Sequence, residues 1–123
     1  MIDVGSAQSL ECGGVKATDH AVWILVEDGG EGKFGMLERL DLSTNTISAR
    51  IKLPANVDQR FAVDDAGVWT FEPMTGLIRI DPRTNQVAGE LVVDGAAGVA
   101  VGAGSVWLGV SVDGTVLRIA PTL

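Results

Sequence analysis

The sequence predicts an all-β protein built from three copies of one four-stranded unit. Residues 37–47 recur 40 positions later as residues 77–87, and a shorter third copy occupies residues 116–122. A Val-Trp pair also recurs, ending at Trp23, at Trp69 and, in the third copy, at Trp107. A composition with 16 Gly against 4 Pro, and with many Val, Ile and Thr residues, is typical of short strands joined by tight turns. A repeat of roughly 40 residues in an all-β pattern indicates the blades of a β-propeller.

We expect one domain over residues 1–123, with blade units at about residues 15–53, 60–93 and 99–119. The length allows a buried core, and the 46% content of apolar residues argues against disorder. No segment has the periodicity of an amphipathic helix.

The strands of one unit can be assigned in order. Residues 60–64, and 99–102 in the next unit, predict the innermost strand, and the Val-Trp strand follows after a short turn. A glycine-containing turn then leads to the strand that carries the repeated arginine. Residues 81–85 form the next turn, because Pro presets its backbone angle and Asp, Thr and Asn hydrogen-bond nearby main chain. Residues 86–93 predict the outer strand.

The ends of the chain predict assembly. The third copy stops before its outer strand, whereas alignment on the Trp residues places Gly5 on Gly89 and residues 2–10 in the position of an outer strand. Propeller rings contain roughly four to eight blades, so three units do not close alone and would leave apolar faces and an unpaired edge. We therefore expect a homodimer that forms a six-bladed ring, with the N-terminal strand acting as a clasp on the partner's last blade. The alternative is a piece of a longer propeller.

The repeated Trp and Arg residues have two interpretations. The Trp rings could stack on a ligand, but their recurrence at one position favours packing between blades. The stems of the repeated arginines are expected to pack between blades, while their guanidinium groups bond carbonyls or the turn aspartates. The residues assigned to structure are Trp23, Trp69, Trp107, Arg39, Arg79, Arg118, Asp41 and Asp81.

Charge and composition exclude several classes of function. The formal net charge of −7 argues against binding to nucleic acid or to an anionic membrane, and it suits cations or cationic ligands. The single cysteine, Cys12, forms no disulfide within the chain, and the N-terminus lacks the pattern of a signal peptide, so we expect a cytoplasmic protein. No cofactor is expected, because no zinc spacing, phosphate-binding loop or nucleophile elbow is recognisable.

The consensus Val-Trp-x(n)-Gly-x-Leu/Ile-x-Arg-Ile/Leu-Asp-Pro-x-Thr-Asn-x-Val resembles the propeller repeats grouped as YVTN, NHL or streptogramin-lyase-like. Residues 67–72 are similar to the Gly-x-x-Trp-Phe-Thr-Glu run of virginiamycin B lyase repeats. The resemblance extends over nearly the whole chain and implies the propeller fold, while many unrelated activities share these repeats.

The same resemblance implies one enzymatic alternative. The lyases are metal-dependent and use His and Glu side chains at the centre of the ring. Here Glu72 matches the Glu of the repeat, Glu27 lies at the corresponding place, and His20 is the only histidine. A lone His is more often a turn residue than a base, so we expect a protein without catalytic residues.

Differences in spacing between the units predict where a ligand would bind. The first unit has extra residues within 27–35, and a second excess falls around residues 54–60. In a four-stranded blade these are the loop between the second and third strands and the loop between blades, which share one face. The predicted binding residues on this loop face are Glu27, Asp28, Glu31, Lys33, Asp58, Arg60, Glu72, Asp94 and Asp113. The alternative is that these are ordinary solvated loops.

The predicted function is therefore a non-catalytic propeller scaffold that forms a homodimer and binds a small molecule or peptide at its loop face. A metal-dependent lyase-like enzyme and a fragment of a larger sensor or extracellular propeller are the alternatives.

Overall fold

The computed structural model describes residues 12–27 and 34–123, and within them the secondary structure is strand and turn, with antiparallel pairing throughout. The chain divides into two compact units, Met1–Gln59 and Arg60–Leu123. The predicted outer strand at residues 2–10 lies outside the described residues. In the part of the chain that is described, no helix is long and apolar enough to cross a membrane.

The first unit contains a four-stranded sheet whose strands follow one another in sequence order. They are β1 (Cys12–Ala17), β2 (Ala21–Glu27), β3 (Phe34–Asp41) and β4 (Thr46–Val57). Successive residues of a strand face opposite sides, and both sides of β2 are buried. Trp23 and Leu25 are buried on one side, and Ile24 and Val26 on the other.

This burial differs from the expectation that a three-blade chain leaves an apolar face of its first blade in water. Ile24, Val26 and Leu40 form a buried cluster, and their fractional exposures are below 8%. The argument for association from an exposed first face is therefore not supported.

The second unit contains a four-stranded sheet and a three-stranded sheet, each again in sequence order. The four-stranded sheet consists of β5 (Ala62–Asp64), β6 (Gly67–Glu72), β7 (Gly76–Asp81) and β8 (Gln86–Val92). The three-stranded sheet consists of β9 (Ala96–Gly102), β10 (Ser105–Val110) and β11 (Thr115–Ile119). The expected strand order within a unit is thus present, and among the residues that the structure describes β11 pairs with β10 alone.

The sequence repeat has a matching repeat of backbone geometry at the turn after the arginine strand. Asn45 and Asn85 have positive φ angles of 55° and 58°, and each N–H donates to the main-chain oxygen of the aspartate that begins its turn. Asn tolerates this left-handed conformation because its short polar side chain bonds locally. Each turn is followed by a bulge, opposite Arg39/Leu40 in the first sheet and Arg79/Ile80 in the second.

The two sheets of the second unit pack face to face. Trp69, Phe71 and Leu77 from the four-stranded sheet form one buried cluster with Val106 and Leu108 of β10. The four-stranded sheet thus contributes the side that carries Trp69, and the three-stranded sheet contributes the side that carries Val106. The opposite side of the three-stranded sheet is less covered, since Trp107 is half-buried and Val116 is 65% exposed.

The segment after β11 returns to the four-stranded sheet. Leu123 packs against the buried cluster of Trp69, and Nη1 of Arg79 lies 3.4 Å from the main-chain oxygen of Leu123. A Cβ on Gly89 would lie 2.6 Å from the carbonyl carbon of Leu123, so the tail approaches β8 at a point where only glycine fits.

Candidate functional site

Three loops of the second unit meet at one end, and we call this the loop end. They are residues 73–75 between β6 and β7, residues 93–95 between β8 and β9, and residues 111–114 between β10 and β11. The N–H of Gly95 donates to the oxygen of Pro73 at 2.8 Å, and the N–H of Ser111 donates to the oxygen of Gly95 at 2.8 Å. The loop between strands and the loop between sheets therefore share a face in this unit, as the repeat predicts.

Gly95 is the centre of this arrangement for a steric reason. Its φ of +86° is a conformation that L side chains rarely adopt, and a Cβ would lie 2.7 Å from Cγ1 of Val112. The hydroxyl of Ser111 adds a second hydrogen bond to the oxygen of Gly95, at 3.1 Å. The three loops are thus held together by main-chain bonds and by contact with Val112.

Three of the predicted binding residues lie at the loop end: Glu72, Asp94 and Asp113. Two of them also stabilise their own turns. Oε2 of Glu72 accepts a bond from the hydroxyl of Thr75 at 3.0 Å, and Oδ1 of Asp113 accepts bonds from the hydroxyl and the N–H of Thr115 at 2.6 and 3.2 Å. Asp94 is exposed. The three carboxylates make this end acidic.

Arg60 lies at the same end of the four-stranded sheet, just before β5. Its guanidinium carbon is 5.7 Å from the centroid of the Phe71 ring, a distance at which a cation is attracted to the ring face. Arg60 therefore has a role in packing, and it supplies a positive charge beside the carboxylates.

The remaining predicted binding residues belong to the first unit or lie outside the described residues. Glu27 is the last residue of β2, pairs with Phe34 across the sheet, and is buried rather than exposed on a loop. Asp58 is half-buried in the first unit, after β4. Asp28, Glu31 and Lys33 lie outside the described residues.

The second sequence insertion is not the inter-blade loop that spacing predicts. Met36 pairs with Lys52 and Phe34 pairs with Val57, so the extra residues between Lys52 and Val57 bulge within β4. Val57 is buried, which makes this stretch part of the first unit's core. Only residues 58–61 connect β4 to β5.

His20 is an exposed turn residue between β1 and β2, and its N–H donates to the hydroxyl of Thr18 at 3.2 Å. It precedes β2, whereas Glu27 ends that strand. At about 3.3 Å of rise per residue, the two residues are roughly 20 Å apart along the sheet. Within the described residues, no three His, Cys, Asp or Glu side chains are grouped so that they could hold a metal ion.

The repeated Trp and Arg side chains contact one another. Arg39 lies over the ring of Trp23 at 5.3 Å, and Arg118 lies over that of Trp107 at 5.2 Å. Such stacking joins a buried ring to a cation whose head reaches the surface.

The hydrogen bonds of the repeated positions differ between the two sheets of the second unit. Nη2 of Arg79 donates to the carbonyl of Ala66 at 2.6 Å, which is the type of bond expected. In the three-stranded sheet, Nε of Arg118 instead donates to the Ser105 hydroxyl at 2.7 Å, and Nε1 of Trp107 donates to the oxygen of Gly102 at 3.0 Å.

The turn aspartates hold their turns as carboxylates. The side chain and N–H of Ser43 donate to Asp41, and the N–H and side chain of Arg83 donate to Asp81. These hydrogen bonds favour the charged form and lower the pKa of both carboxyl groups. Asp41 and Asp81 therefore stabilise their own turns within each repeat.

Sequence reasoning missed the apolar side chains at the loop end. Met74 is 75% exposed, Val92 is 85% exposed and Val112 is 69% exposed. Each lies within two positions of one of the loop-end carboxylates. Val92 faces the side of its sheet away from the buried cluster of Trp69, because Leu91 and Val93 pack against that cluster.

Comparison with known proteins supports the fold and gives no function. No protein-family profile matches the chain, and no curated protein matches it. Among solved structures, a hydrazine synthase chain from Kuenenia stuttgartiensis is similar, with a TM-score of 0.57 and 13% identity, over 80% of this chain and 31% of that one. This chain thus spans less than a third of the length of that structure. At such low identity the likeness concerns the fold alone.

Proposed function

We propose that this protein is a non-catalytic binding scaffold: a half-propeller that forms a homodimer with a six-bladed ring and presents its loop end to a ligand or protein. The observation that carries the proposal is the incomplete three-stranded sheet. In the same unit the neighbouring sheet has four strands and its Trp side is covered, whereas β11 pairs, among the described residues, with β10 alone and Trp107 is half-buried.

The repeat supplies the missing pieces of the ring. In the second unit, the Trp side of one sheet is buried against the Val side of the next, and this contact could recur between sheets of two copies. A second copy placed by a two-fold axis would cover the Trp107 side and would offer its residues 2–10 to the edge of β11. An unpaired strand edge otherwise tends to associate nonspecifically.

The test is the native mass of the chain by light scattering at micromolar concentration, where we expect two copies. Deletion of residues 1–10 should weaken the dimer by at least tenfold. The variant Val4→Pro removes an N–H that the proposed clasp strand would use and should act in the same direction, while its control, Val4→Thr, keeps a residue that favours strands. A single-chain mass with a cooperative melt would refute the ring, and aggregation of the full chain would favour a piece of a longer propeller.

A metal-dependent lyase-like activity is less well supported. It would require His20 to act with the glutamates of the repeat, yet Glu27 lies at the opposite end of β2. We expect His20→Ala to leave the affinity for divalent ions unchanged in calorimetry. Lost ion binding in a folded His20→Ala protein would restore the lyase alternative.

A further inference from the structure

We propose that the two copies of the ring are joined by an ion pair between Glu38 of one copy and Arg118 of the other. The inference rests on the proposed function, because it names the contact that would join the first sheet (β1 to β4) of one copy to the third sheet (β9 to β11) of its partner. The observation that carries it is a buried oxygen of Glu38 that has no hydrogen-bond partner among the described residues.

Glu38 is a charged residue in apolar surroundings. It is 2% exposed, and it lies opposite Ile24, on the side of the first sheet that carries the buried cluster of Ile24 and Leu40. Nε of Arg50 donates to Oε1 of Glu38 at 3.2 Å, whereas Oε2 accepts no bond from the described part of the chain. A buried carboxylate oxygen without a donor is costly, so Glu38 is suited to accept a bond from another molecule.

The other two sheets have aliphatic side chains at this position. In each sheet, one residue of the third-strand position pairs with the residue that follows the repeated Trp. It is Glu38 in the first sheet, Ile78 in the second and Leu117 in the third. An aliphatic side chain therefore suffices for packing, and the carboxylate indicates a role that belongs to the first sheet. A buried polar residue can fix which surfaces pair and in which register.

The second unit shows which surface meets this position. Leu117 packs against the buried cluster that contains Trp69, and Trp69 pairs with Arg79 across β6 and β7. The side of a sheet that carries the repeated Trp and Arg thus covers the position equivalent to Glu38. If the same contact recurs between copies, Glu38 meets the side of the third sheet that carries the partner's Arg118.

Arg118 is able to supply the second donor. It is exposed and lies over the ring of Trp107 at 5.2 Å, on the side of the third sheet away from the buried cluster. Its Nε donates to the hydroxyl of Ser105 at 2.7 Å, which leaves both Nη nitrogens for an acceptor outside the described residues. Arg79, by contrast, uses both Nη nitrogens on main-chain oxygens of its own chain. A guanidinium group forms short, strong bonds with a carboxylate.

The Glu38 side of the first sheet is already buried within one chain, so the second copy has to replace the contacts that cover it. Those contacts bury Ile24 and Leu40 but provide no donor for Oε2 of Glu38. The partner's third sheet would bury the same apolar residues and also supply the donor. The exchange therefore gains an ion pair that is shielded from water.

The pair also gives the joint its specificity. A two-fold axis forms the same pair at both joints of the ring. A shifted joint would leave the carboxylate and the guanidinium group unpaired in a buried interface, which is unfavourable.

Exchange of charge between two variants of the full chain tests the pair. Glu38→Lys and Arg118→Glu each place like charges at both joints of a homodimer, so each variant alone should give a single-chain mass in light scattering at micromolar concentration. In an equimolar mixture, one joint has the original pair and the other has the exchanged pair. We expect the mixture to give the mass of two chains, with one copy of each variant in native mass spectrometry.

The matched control is Glu90→Lys on the exposed surface of β8, which should dimerise by itself. Circular dichroism establishes that each variant is folded. If Glu38→Lys does not fold, Glu38→Gln and Arg118→Gln replace the two variants. Each of these should weaken the dimer by about a hundredfold or more, because a buried charge loses its partner, and the two together should weaken it little further.

The possible results separate the ion pair from the ring. Unchanged dimers of both variants would overturn the pair and leave the ring in place. A single-chain mass for the mixture as well as for each folded variant would also overturn the pair, because the two residues would then affect association without facing each other. A single-chain mass for the unaltered protein would reject the ring and the pair together.

Discussion

Replacement of Trp69 by alanine tests the packing between the two sheets of the second unit. The ring is fully buried among Phe71, Leu77, Val106 and Leu108. Large-to-small changes of this type cost about 3–5 kcal/mol. Among the described residues, Nε1 of Trp69 has no hydrogen-bond partner, so removal of this buried donor offsets about 1 kcal/mol. We therefore expect a net loss of about 3 kcal/mol.

The assay is urea unfolding followed by circular dichroism at one fixed protein concentration, because a dimer makes stability depend on concentration. With a slope of about 1.5 kcal/mol per molar urea, the midpoint should fall by about 2 M. The control is Trp107→Ala, which removes a half-buried ring and the bond to Gly102 and should cost about 1–2 kcal/mol at concentrations where the chain is monomeric. If Trp69→Ala retains a midpoint within about 0.5 M of the unchanged protein, the assignment of Trp69 to the core is wrong.

Three further predictions follow from buried or constrained positions. Thr70→Val should stabilise the protein by about 1 kcal/mol in urea unfolding, because the Thr70 hydroxyl is fully buried with no hydrogen-bond partner among the described residues. Apolar residues, Ile24 and Leu108, occupy the equivalent positions in the other two sheets. A destabilised variant would reveal an unrecognised role for the hydroxyl. Gly95→Ala should cost about 2 kcal/mol or more in urea unfolding, since the φ of +86° and the position of Val112 both exclude a Cβ. Retained stability would mean that the loop end is not tightly packed. Asp81→Asn should reduce the loss of folding stability in acid. The hydrogen bonds from Arg83 hold the pKa of folded Asp81 below its ordinary value of 3.8. The ionised carboxylate therefore stabilises the fold above pH 3.8, and this stabilisation is lost as the pH falls through the lower pKa of the folded protein. Urea midpoints compared at about pH 6 and about pH 2.5 measure this, and an unchanged pH dependence would contradict the assignment.

The turns and strand order were predictable because their causes are local. Pro82 and Asn85 specify a turn within a few residues, and the structure has β7 end at Asp81 and β8 begin at Gln86. The packing of Trp69 was predictable because one side chain recurs at one place in each repeat. Such features depend on short stretches of sequence and on periodicity.

The site was less predictable because spacing counts residues without placing them. The number of residues between Trp23 and Trp69 reveals an insertion, but not that Pro54 and its neighbours bulge within β4 beside Phe34. Likewise, Leu91 to Val93 is an apolar run typical of a strand, and only the contacts across the sheets determine that Val92 faces water. Glu27 continues a buried strand, and its sequence position resembles a loop because the next residues are acidic and glycine-rich.

The return of the chain after β11 to Gly89 couples the two sheets of the second unit in their unfolding. In repeat proteins, stability is approximately the sum of the terms for each repeat and for its interface with the next. Here Leu123 belongs to the third repeat by sequence and to the second by contact, so opening the three-stranded sheet also uncovers β8. The amides of β8 and β10 should therefore exchange their hydrogens through one shared opening event, as a single cooperative unit larger than one repeat.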